Sequence, residues 1–285
     1  MDDPGHGNTY TSADGLELFY REYGPQLPGT PVICLPGLTR NSRDFIEVAT
    51  HIGTRRRVIL PDLRGRGRSA YDPEWRNYHP GTYIGDTWTL LDSLDIDRTI
   101  VIGTSLGGLC AMGMAATQPQ RLAAVVMNDI GPDINPAGIA RIQSYVGKQA
   151  PPATWAEAIE QTRGNYGAFL PGLSDDDWDR MVWKAYRRGD DGVPIADYDP
   201  NIGRAVAEVG AQTGDPWLFF DALAPIRTTL LWGELSDILT QDIVDKMVAR
   251  KPDLDVVRVA DRGHAPLLDE PECLAAIDAV LEEVS

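Results

Sequence analysis

The stretch VIGTSLGGLC, residues 101–110, passes from apolar residues into a serine flanked by glycines. Its core, Gly103-Thr104-Ser105-Leu106-Gly107, matches the G-x-S-x-G pattern of a nucleophilic serine. The preceding TIVI predicts a β-strand, and the following LGGLCAMGMAATQP predicts a helix that ends at a proline. So sharp a turn strains the backbone at Ser105 and leaves no room for side chains at Gly103 and Gly107. We therefore expect the Ser105 hydroxyl at the carboxyl end of a sheet, beside a helix N-terminus that favours negative charge.

A serine hydroxyl is a weak nucleophile at neutral pH and needs a base and a group that orients the base. His264 is the only histidine after the serine, in VRVADRGHAPLLDEPE, directly after the last strand-like run. The acid is expected between serine and histidine in chain order. Asp237 in LLWGELSDIL follows the preceding strand and is the first choice, and Asp129 in VVMNDIGP is the alternative acid.

The third requirement is a pair of donors for an oxyanion. One is expected to be the backbone N–H of Leu106, and the other comes from the loop after the first central strand. That loop is CLPGLTRNSRDF, where Gly37 allows the backbone to approach the serine and Leu38 supplies the second N–H. The side chains of Leu38, Leu106 and Ile238 are expected to give the substrate pocket apolar walls.

Short apolar runs alternate with helix-like segments along most of the chain, which is typical of parallel strands covered on both faces. Two β-like runs around Asp14-Gly15 predict an antiparallel hairpin at the N-terminal edge. The pattern predicts an α/β fold with a mostly parallel eight-stranded sheet flanked by helices. The alternation breaks after the sixth strand, so we expect a core domain of residues 1–132 and 225–285 and an inserted helical cap of residues 133–224.

Composition excludes several classes of function. The 285 residues carry a formal net charge of −16, which disfavours nucleic acid and anionic membranes. No apolar run approaches the roughly 20 residues of a membrane span, and the start lacks the features of a signal peptide.

The cysteines Cys34, Cys110 and Cys273 stand far apart in apolar contexts and are expected to be buried thiols. We expect a cytoplasmic protein with a small-molecule substrate and no metal, and the sequence does not predict an oligomeric state.

The chain resembles the α/β-hydrolase fold superfamily over nearly its whole length. The stretches that carry the resemblance, in the family's order and spacing, are LPGLTRNSRDF, PDLRGRGRS, GTSLGGL, MNDIGP, WGELSD and DRGHAP. It is similar in particular to cap-bearing bacterial hydrolases with a serine nucleophile and an unassigned substrate. The resemblance implies nucleophile Ser105, acid Asp237, base His264 and oxyanion donors at the backbone of Leu38 and Leu106.

This chain departs from the family's common pattern at two positions, and the second departure narrows the activity expected of this chain. Pro36-Gly37 stands where the family commonly has His-Gly. Ser105 replaces the aspartate that epoxide hydrolases and haloalkane dehalogenases carry at this turn, which argues against both activities. The stretch PDLRGRGRS recurs in the family as a structural turn, so Asp62, Arg64 and Ser69 are expected to hold a loop.

The expected reaction is hydrolysis of a carboxylic ester or lactone through an acyl-enzyme on Ser105, without a cofactor. Hydrolysis of a carbon–carbon bond is an alternative within the superfamily. Such enzymes typically act on dienoate anions and have an HGxGPG-type loop, whereas this chain has LPGLTRN. A non-catalytic ligand-binding module is an alternative of another class. The complete set of serine, histidine and carboxylate candidates argues against it.

Overall fold

A computed structural model describes residues 5–208 and 215–284 of the chain. Within them, eight strands form the main sheet. They are β1 (His6–Thr11), β2 (Glu17–Tyr23), β3 (Val32–Leu35), β4 (Val58–Pro61), β5 (Thr99–Thr104), β6 (Leu122–Asn128), β9 (Arg227–Gly233) and β10 (Asp255–Val259). Their spatial order is β1-β2-β4-β3-β5-β6-β9-β10. Only the pairs β1·β2 and β2·β4 are antiparallel, so the predicted mostly parallel sheet with an N-terminal edge hairpin is confirmed.

Helices cover both faces of this sheet. They are α1 (Ile46–Ile52), α2 (Pro80–Ser93), α3 (Leu106–Thr117), α9 (Gln241–Arg250) and α10 (Pro271–Glu283). Residues of α2, α3 and α9 pack against one face, and residues of α1 and α10 pack against the other. Alternate residues of one strand therefore enter different cores, as Ile33 and Val32 of β3 do. This explains why the strands are apolar at nearly every position. Among the described helices, none has the length and apolar character to cross a membrane.

The strand order reverses beside β3. From β3 the chain passes through α1 to β4 on one side, whereas β5 pairs with β3 on the other side. The helix after β3 packs on one face of the sheet and the helix after β5 packs on the opposite face. The loops that leave the carboxyl ends of these two strands therefore diverge, and such a crevice is where open α/β sheets bind ligands.

The segment 133–224 joins β6 to β9. It holds α4 (Pro136–Tyr145), α5 (Trp155–Tyr166), α6 (Asp175–Ala185), α7 (Asn201–Glu208), α8 (Trp217–Asp221) and a small sheet of β7 (Tyr186–Arg188) and β8 (Pro194–Ala196). The described part is mostly helical, and it also contains two short strands that the sequence did not predict. Residues 209–214 of the expected cap lie outside the described residues.

The loop PDLRGRGRS holds itself and its neighbours in place. The Asp62 carboxylate accepts hydrogen bonds from the amides of Ser42 at 2.7 Å and Arg68 at 2.8 Å. Ser69 Oγ donates to the Asp62 carbonyl and accepts from the Phe19 amide at 2.8 Å. The buried Arg64 is paired with three carboxylates, namely those of Asp14, Asp72 and Asp86. Such saturated contacts are typical of a structural turn.

The three cysteines are buried and unpaired with one another, as predicted. Burial raises the pKa of all three thiols, of Cys110 to about 12. At neutral pH they are protonated and therefore poor nucleophiles.

Candidate active site

The turn between β5 and α3 holds Ser105 in a strained conformation. Its backbone angles are φ 51° and ψ −113°, a region that residues other than glycine rarely adopt. A Cβ atom on Gly103 would lie 2.4 Å from the Gly107 carbonyl, and one on Gly107 would lie 2.0 Å from the Leu35 oxygen. The expectation that these two glycines leave no room for a side chain is therefore confirmed. The strain at Ser105 is compensated by packing around it, as is usual at functional sites.

His264 lies beside this serine. Its Nε2 is 2.9 Å from Ser105 Oγ, and the imidazole is 8% exposed. The loop that carries it is fixed by Glu270, whose carboxylate accepts from the amides of Leu267 at 3.0 Å and Leu268 at 2.9 Å. The Gly263 amide also donates to the carbonyl of Phe169, in the segment 133–224, at 2.6 Å. The structure thus brings the predicted nucleophile and base together on a firmly held loop.

The carboxylate that contacts His264 belongs to Asp129. Its Oδ2 lies 2.9 Å from His264 Nδ1, and its side chain is fully buried. Asp237, the first choice of the sequence analysis, instead forms a bidentate ion pair with Arg141 of α4, at 2.5 and 2.8 Å. The reason is the turn after β9, which presents Ser236 to Asp129 and directs the next residue, Asp237, to α4. The assignment of Asp237 as the orienting acid is therefore corrected to the alternative, Asp129.

Asp129 is held by more than the histidine. Its Oδ1 accepts from the Gly233 amide at 2.9 Å, and its Oδ2 accepts from the Ser236 hydroxyl at 2.6 Å. Ser236 Oγ itself accepts from the amides of Ile238 at 3.2 Å and Leu239 at 3.0 Å. Because these amides occupy its acceptor positions, the single Ser236 proton is directed at Asp129. Together with His264, these donors fix the orientation of the Asp129 carboxylate.

Asn128, the residue before this acid, links the two loops of the site. Its buried Nδ2 donates to Thr104 Oγ1 and to the Pro266 carbonyl, both at 3.0 Å. Its carbonyl also accepts from the Ser105 amide at 3.1 Å. Neither Asn128 nor Ser236 is predicted as a site residue from the sequence. Both lie within quoted stretches, but only the folded geometry shows that they face the site.

The expected oxyanion donors flank Ser105. Within residues 5–208 and 215–284, neither the Leu38 nor the Leu106 N–H has a hydrogen-bond partner. A Cβ on Gly37 would lie 3.9 Å from Ser105 Cβ, so the Leu38 loop runs close to the serine. The Leu38 carbonyl is held by Nε of the buried Arg66 at 2.9 Å. Leu106 begins α3, where backbone N–H groups lack intrahelical partners.

Two cavities meet at Ser105, and Leu38 and Ile142 also line both. The first, which we call the polar cavity, has a volume of about 130 Å³. It is lined by His264, by apolar side chains such as those of Phe45, Leu170 and Met181, and by charged residues, which the second cavity lacks within the described part of the chain, among them Arg40, Asp44, Asp177, Arg180 and Lys184. The second, which we call the apolar cavity, has a volume of about 250 Å³. Its lining includes Leu106, Leu109, Ile130, Ile134, Ile139, Val206 and Ile238. The predicted pocket residues Leu38 and Ile238 thus lie on cavity walls beside the serine.

Opposite charges are paired around the polar cavity. Arg40 binds Asp44 through two contacts of 2.8 and 2.6 Å, Arg180 binds Asp177, and Lys184 binds Glu47 at 2.6 Å. Hydrogen bonds from Ser174 and the charge of Arg180 lower the pKa of Asp177. Burial and the neighbouring Tyr166 raise the pKa of Tyr145, which keeps its phenol neutral. The cavity therefore presents hydrogen-bonding groups whose formal charges largely cancel.

The sheet order, the strained serine turn and the adjoining histidine and aspartate define a hydrolase of the α/β fold. Residues 30–271 match the model of the α/β hydrolase fold family, so the chain belongs to that family. The resemblance stated from the sequence motifs is thereby confirmed.

The proteins similar to this chain include hydrolases and a lipase. The chain is 30% identical to a 3-hydroxybutyrate-oligomer hydrolase of Cupriavidus necator over 270 residues, which cover 90% of each protein. It is 32% identical to a lipase of Mycobacterium tuberculosis over 114 residues, or 40% of this chain and 42% of the lipase. The crystal structure of an α/β hydrolase from Novosphingobium aromaticivorans covers 100% of both chains, with a TM-score of 0.92 and 41% identity.

Proposed function

We propose that the protein hydrolyses carboxylic esters of small molecules through an acyl-enzyme on Ser105. The observation that carries this proposal is the continuous contact from Ser105 Oγ through His264 to Asp129, with 2.9 Å at each step. A histidine in this position can accept the serine proton while the carboxylate stabilises the resulting imidazolium. The similarity to a hydrolase of 3-hydroxybutyrate oligomers supports an ester substrate, since such oligomers are joined by ester bonds.

The first half of the reaction forms the acyl-enzyme. Ser105 Oγ attacks the acyl carbon as His264 Nε2 takes its proton, and the carbonyl electron pair moves onto the oxygen. The amides of Leu38 and Leu106 donate to this oxyanion. The carbonyl then re-forms as the bond to the alcohol breaks, and His264 delivers the proton to the leaving oxygen.

The second half releases the acid. A water molecule gives a proton to His264 and attacks the acyl carbon, which again places negative charge on the oxygen held by the two amides. Collapse of this intermediate returns the proton to Ser105 and frees the carboxylic acid. Asp129 remains ionised throughout and holds the imidazole in position.

Segment 133–224 is proposed to act as a cap that shapes the substrate site. Ile139 and Ile142 of α4 and Val206 of α7 contribute to the apolar cavity, and Tyr166 and Met181 contribute to the polar one. Side chains from this segment therefore decide which groups fit beside Ser105. The neighbouring strands and their loops supply the reacting residues.

Carbon–carbon bond hydrolysis is less well supported by the site. Its dienoate substrates would need a cation beside the serine, and the described cations of the polar cavity are all paired with carboxylates. A neutral ester avoids both this difficulty and the repulsion from a net charge of −16.

The proposal is tested by steady-state assays of the full chain with p-nitrophenyl acetate and p-nitrophenyl butyrate. We expect saturable release of p-nitrophenolate above the rate of spontaneous hydrolysis. A dienoate substrate measured in parallel is expected to turn over more slowly. Turnover of the dienoate without detectable cleavage of either ester would contradict the proposal.

Ser236 is expected to support this activity by positioning Asp129. Hydrogen bonds to charged groups contribute about 1.5–3 kcal/mol, so Ser236→Ala should lower kcat roughly tenfold to a hundredfold. KM should change little, because Ser236 does not line either cavity. Ser236→Thr keeps the hydroxyl and serves as the matched control, with kcat expected near the original value. An unchanged kcat in a folded Ser236→Ala protein would exclude this role.

A further inference from the structure

The two cavities at Ser105 differ in their access to His264. His264 and the adjoining residues 265–269 line the polar cavity. Among the described residues, the lining of the apolar cavity includes Ser105, Leu38 and Leu106 but not His264. The acid that protonates a leaving oxygen must come within hydrogen-bond reach of it. The leaving alcohol therefore departs on the side of the polar cavity, and the acyl chain extends to the other side.

The apolar cavity suits an acyl chain. Its walls come from α2, α3, α4 and α7 and from the turn after β9, and leucine and isoleucine are the commonest residues in them. Burial of each methylene group strengthens binding about fourfold when the site is apolar. An acyl chain of several carbons is therefore favoured over acetyl on this side of the serine.

The polar cavity suits an alcohol with further hydrogen-bonding groups. Arg40, Asp44, Tyr145 and Tyr166 belong to its lining, and the hydroxyl oxygens of the two tyrosines lie 3.4 Å apart. A plain alkyl alcohol offers these residues no hydrogen-bonding partner, and burying polar groups beside it is unfavourable. An additional hydroxyl on the alcohol can supply such a partner.

We propose that the substrates are esters of an apolar acyl chain with a polar alcohol, with the acyl chain in the apolar cavity and the alcohol in the polar cavity. The assignment rests on the proposed ester hydrolysis, and it adds the direction in which the ester lies across Ser105. Val206 and Ile139 are then expected to determine acyl specificity, because both line the apolar cavity and neither lines the polar cavity.

Two isomeric esters test the direction. Ethyl hexanoate and hexyl acetate contain the same atoms and differ only in which side of the ester carries the long chain. After correction for their rates of alkaline hydrolysis, we expect kcat/KM to be at least about tenfold higher for ethyl hexanoate, because burying four additional acyl methylenes favours it. Equal values, or a preference for hexyl acetate, would overturn the assignment.

Substitutions that fill the apolar cavity give a second test of which cavity holds the acyl chain. Val206→Phe, and independently Ile139→Phe on another helix, should lower kcat/KM for ethyl hexanoate at least about tenfold more than kcat/KM for ethyl acetate. Val248→Phe on α9 is the matched control, since Val248 is 38% exposed and lines neither cavity. A selective loss of hexyl acetate turnover in the folded variants would reverse the assignment.

The polar side is tested with 2-hydroxyethyl hexanoate, which adds one hydroxyl to the alcohol of ethyl hexanoate. We expect a higher kcat/KM for the hydroxyethyl ester after the same correction, and a lower value would refute the polar-alcohol assignment. If the protein hydrolyses ethyl acetate but shows the wrong preferences, only the inference fails. If none of these esters is hydrolysed, the proposed function fails with it.

Discussion

Asp129→Asn is expected to lower kcat by about 10⁴-fold, the loss measured when the acid of a serine triad is replaced by its amide. The amide keeps the shape of the side chain but cannot stabilise the positive charge that forms on His264. The geometry locates this effect at Asp129, because its Oδ2 lies 2.9 Å from His264 Nδ1. Steady-state kinetics with p-nitrophenyl butyrate would measure the loss, and far-ultraviolet circular dichroism would establish that the variant is folded.

Asp237→Asn is the matched control for that change. Asp237 pairs with Arg141 rather than with the histidine, so its amide variant should retain kcat within about tenfold. The ion pair connects α4 to the turn after β9, and a change in KM is compatible with this role. The opposite ranking, with the larger loss of kcat at Asp237, would mean that Asp129 is not the acid in solution.

The second large effect is expected at the serine. Ser105→Ala should reduce kcat by about 10⁶-fold, the loss seen when a serine hydrolase loses its nucleophile. The variant removes the hydroxyl oxygen proposed to form the acyl-enzyme and leaves the amides of Leu38 and Leu106 in place. Substrate binding should therefore persist. Calorimetry that monitors the displacement of a bound product or of a slowly hydrolysed ester would measure this binding. Residual turnover close to the original value would require another nucleophile.

The central part of the fold could be predicted because its signals are local. Strands buried on both faces are apolar at every position, and TIVIGTSLGG combines such a strand, a constrained turn and the first turn of a helix. The close contact of Gly107 with the Leu35 oxygen shows why that turn tolerates so few residues. His264 could be identified because it is the only histidine after the serine and directly follows the last strand.

The acid could not be chosen on the same grounds. Asp129 and Asp237 follow neighbouring strands, so both meet the rule of chain order. Which of the two carboxylates faces His264 depends on the orientation of the turn after β9. It also depends on Arg141 of α4, which binds Asp237. Neither determinant is visible in the spacing of the motif.

The strands β7 and β8 were missed for a related reason. Each has three residues, and their exposed positions lack the apolar alternation that predicts a buried strand. Side chains of the loop after β3, which lies outside the segment, contact β7 and the residues just before it. One such contact is the hydrogen bond from the Asn41 side chain to the Lys184 carbonyl, at 3.1 Å.

Ser105 is expected to be an activated nucleophile, and a fluorophosphonate probe reacts only with such a serine. Phosphonylation transfers the phosphorus centre to the serine oxygen, releases fluoride and requires the same base and oxyanion donors as acylation. Mass spectrometry of the intact protein and of its peptides should show one phosphonyl adduct, located on Ser105, and no adduct on Ser105→Ala. An unmodified wild-type protein, or an adduct that persists in the variant, would contradict the account.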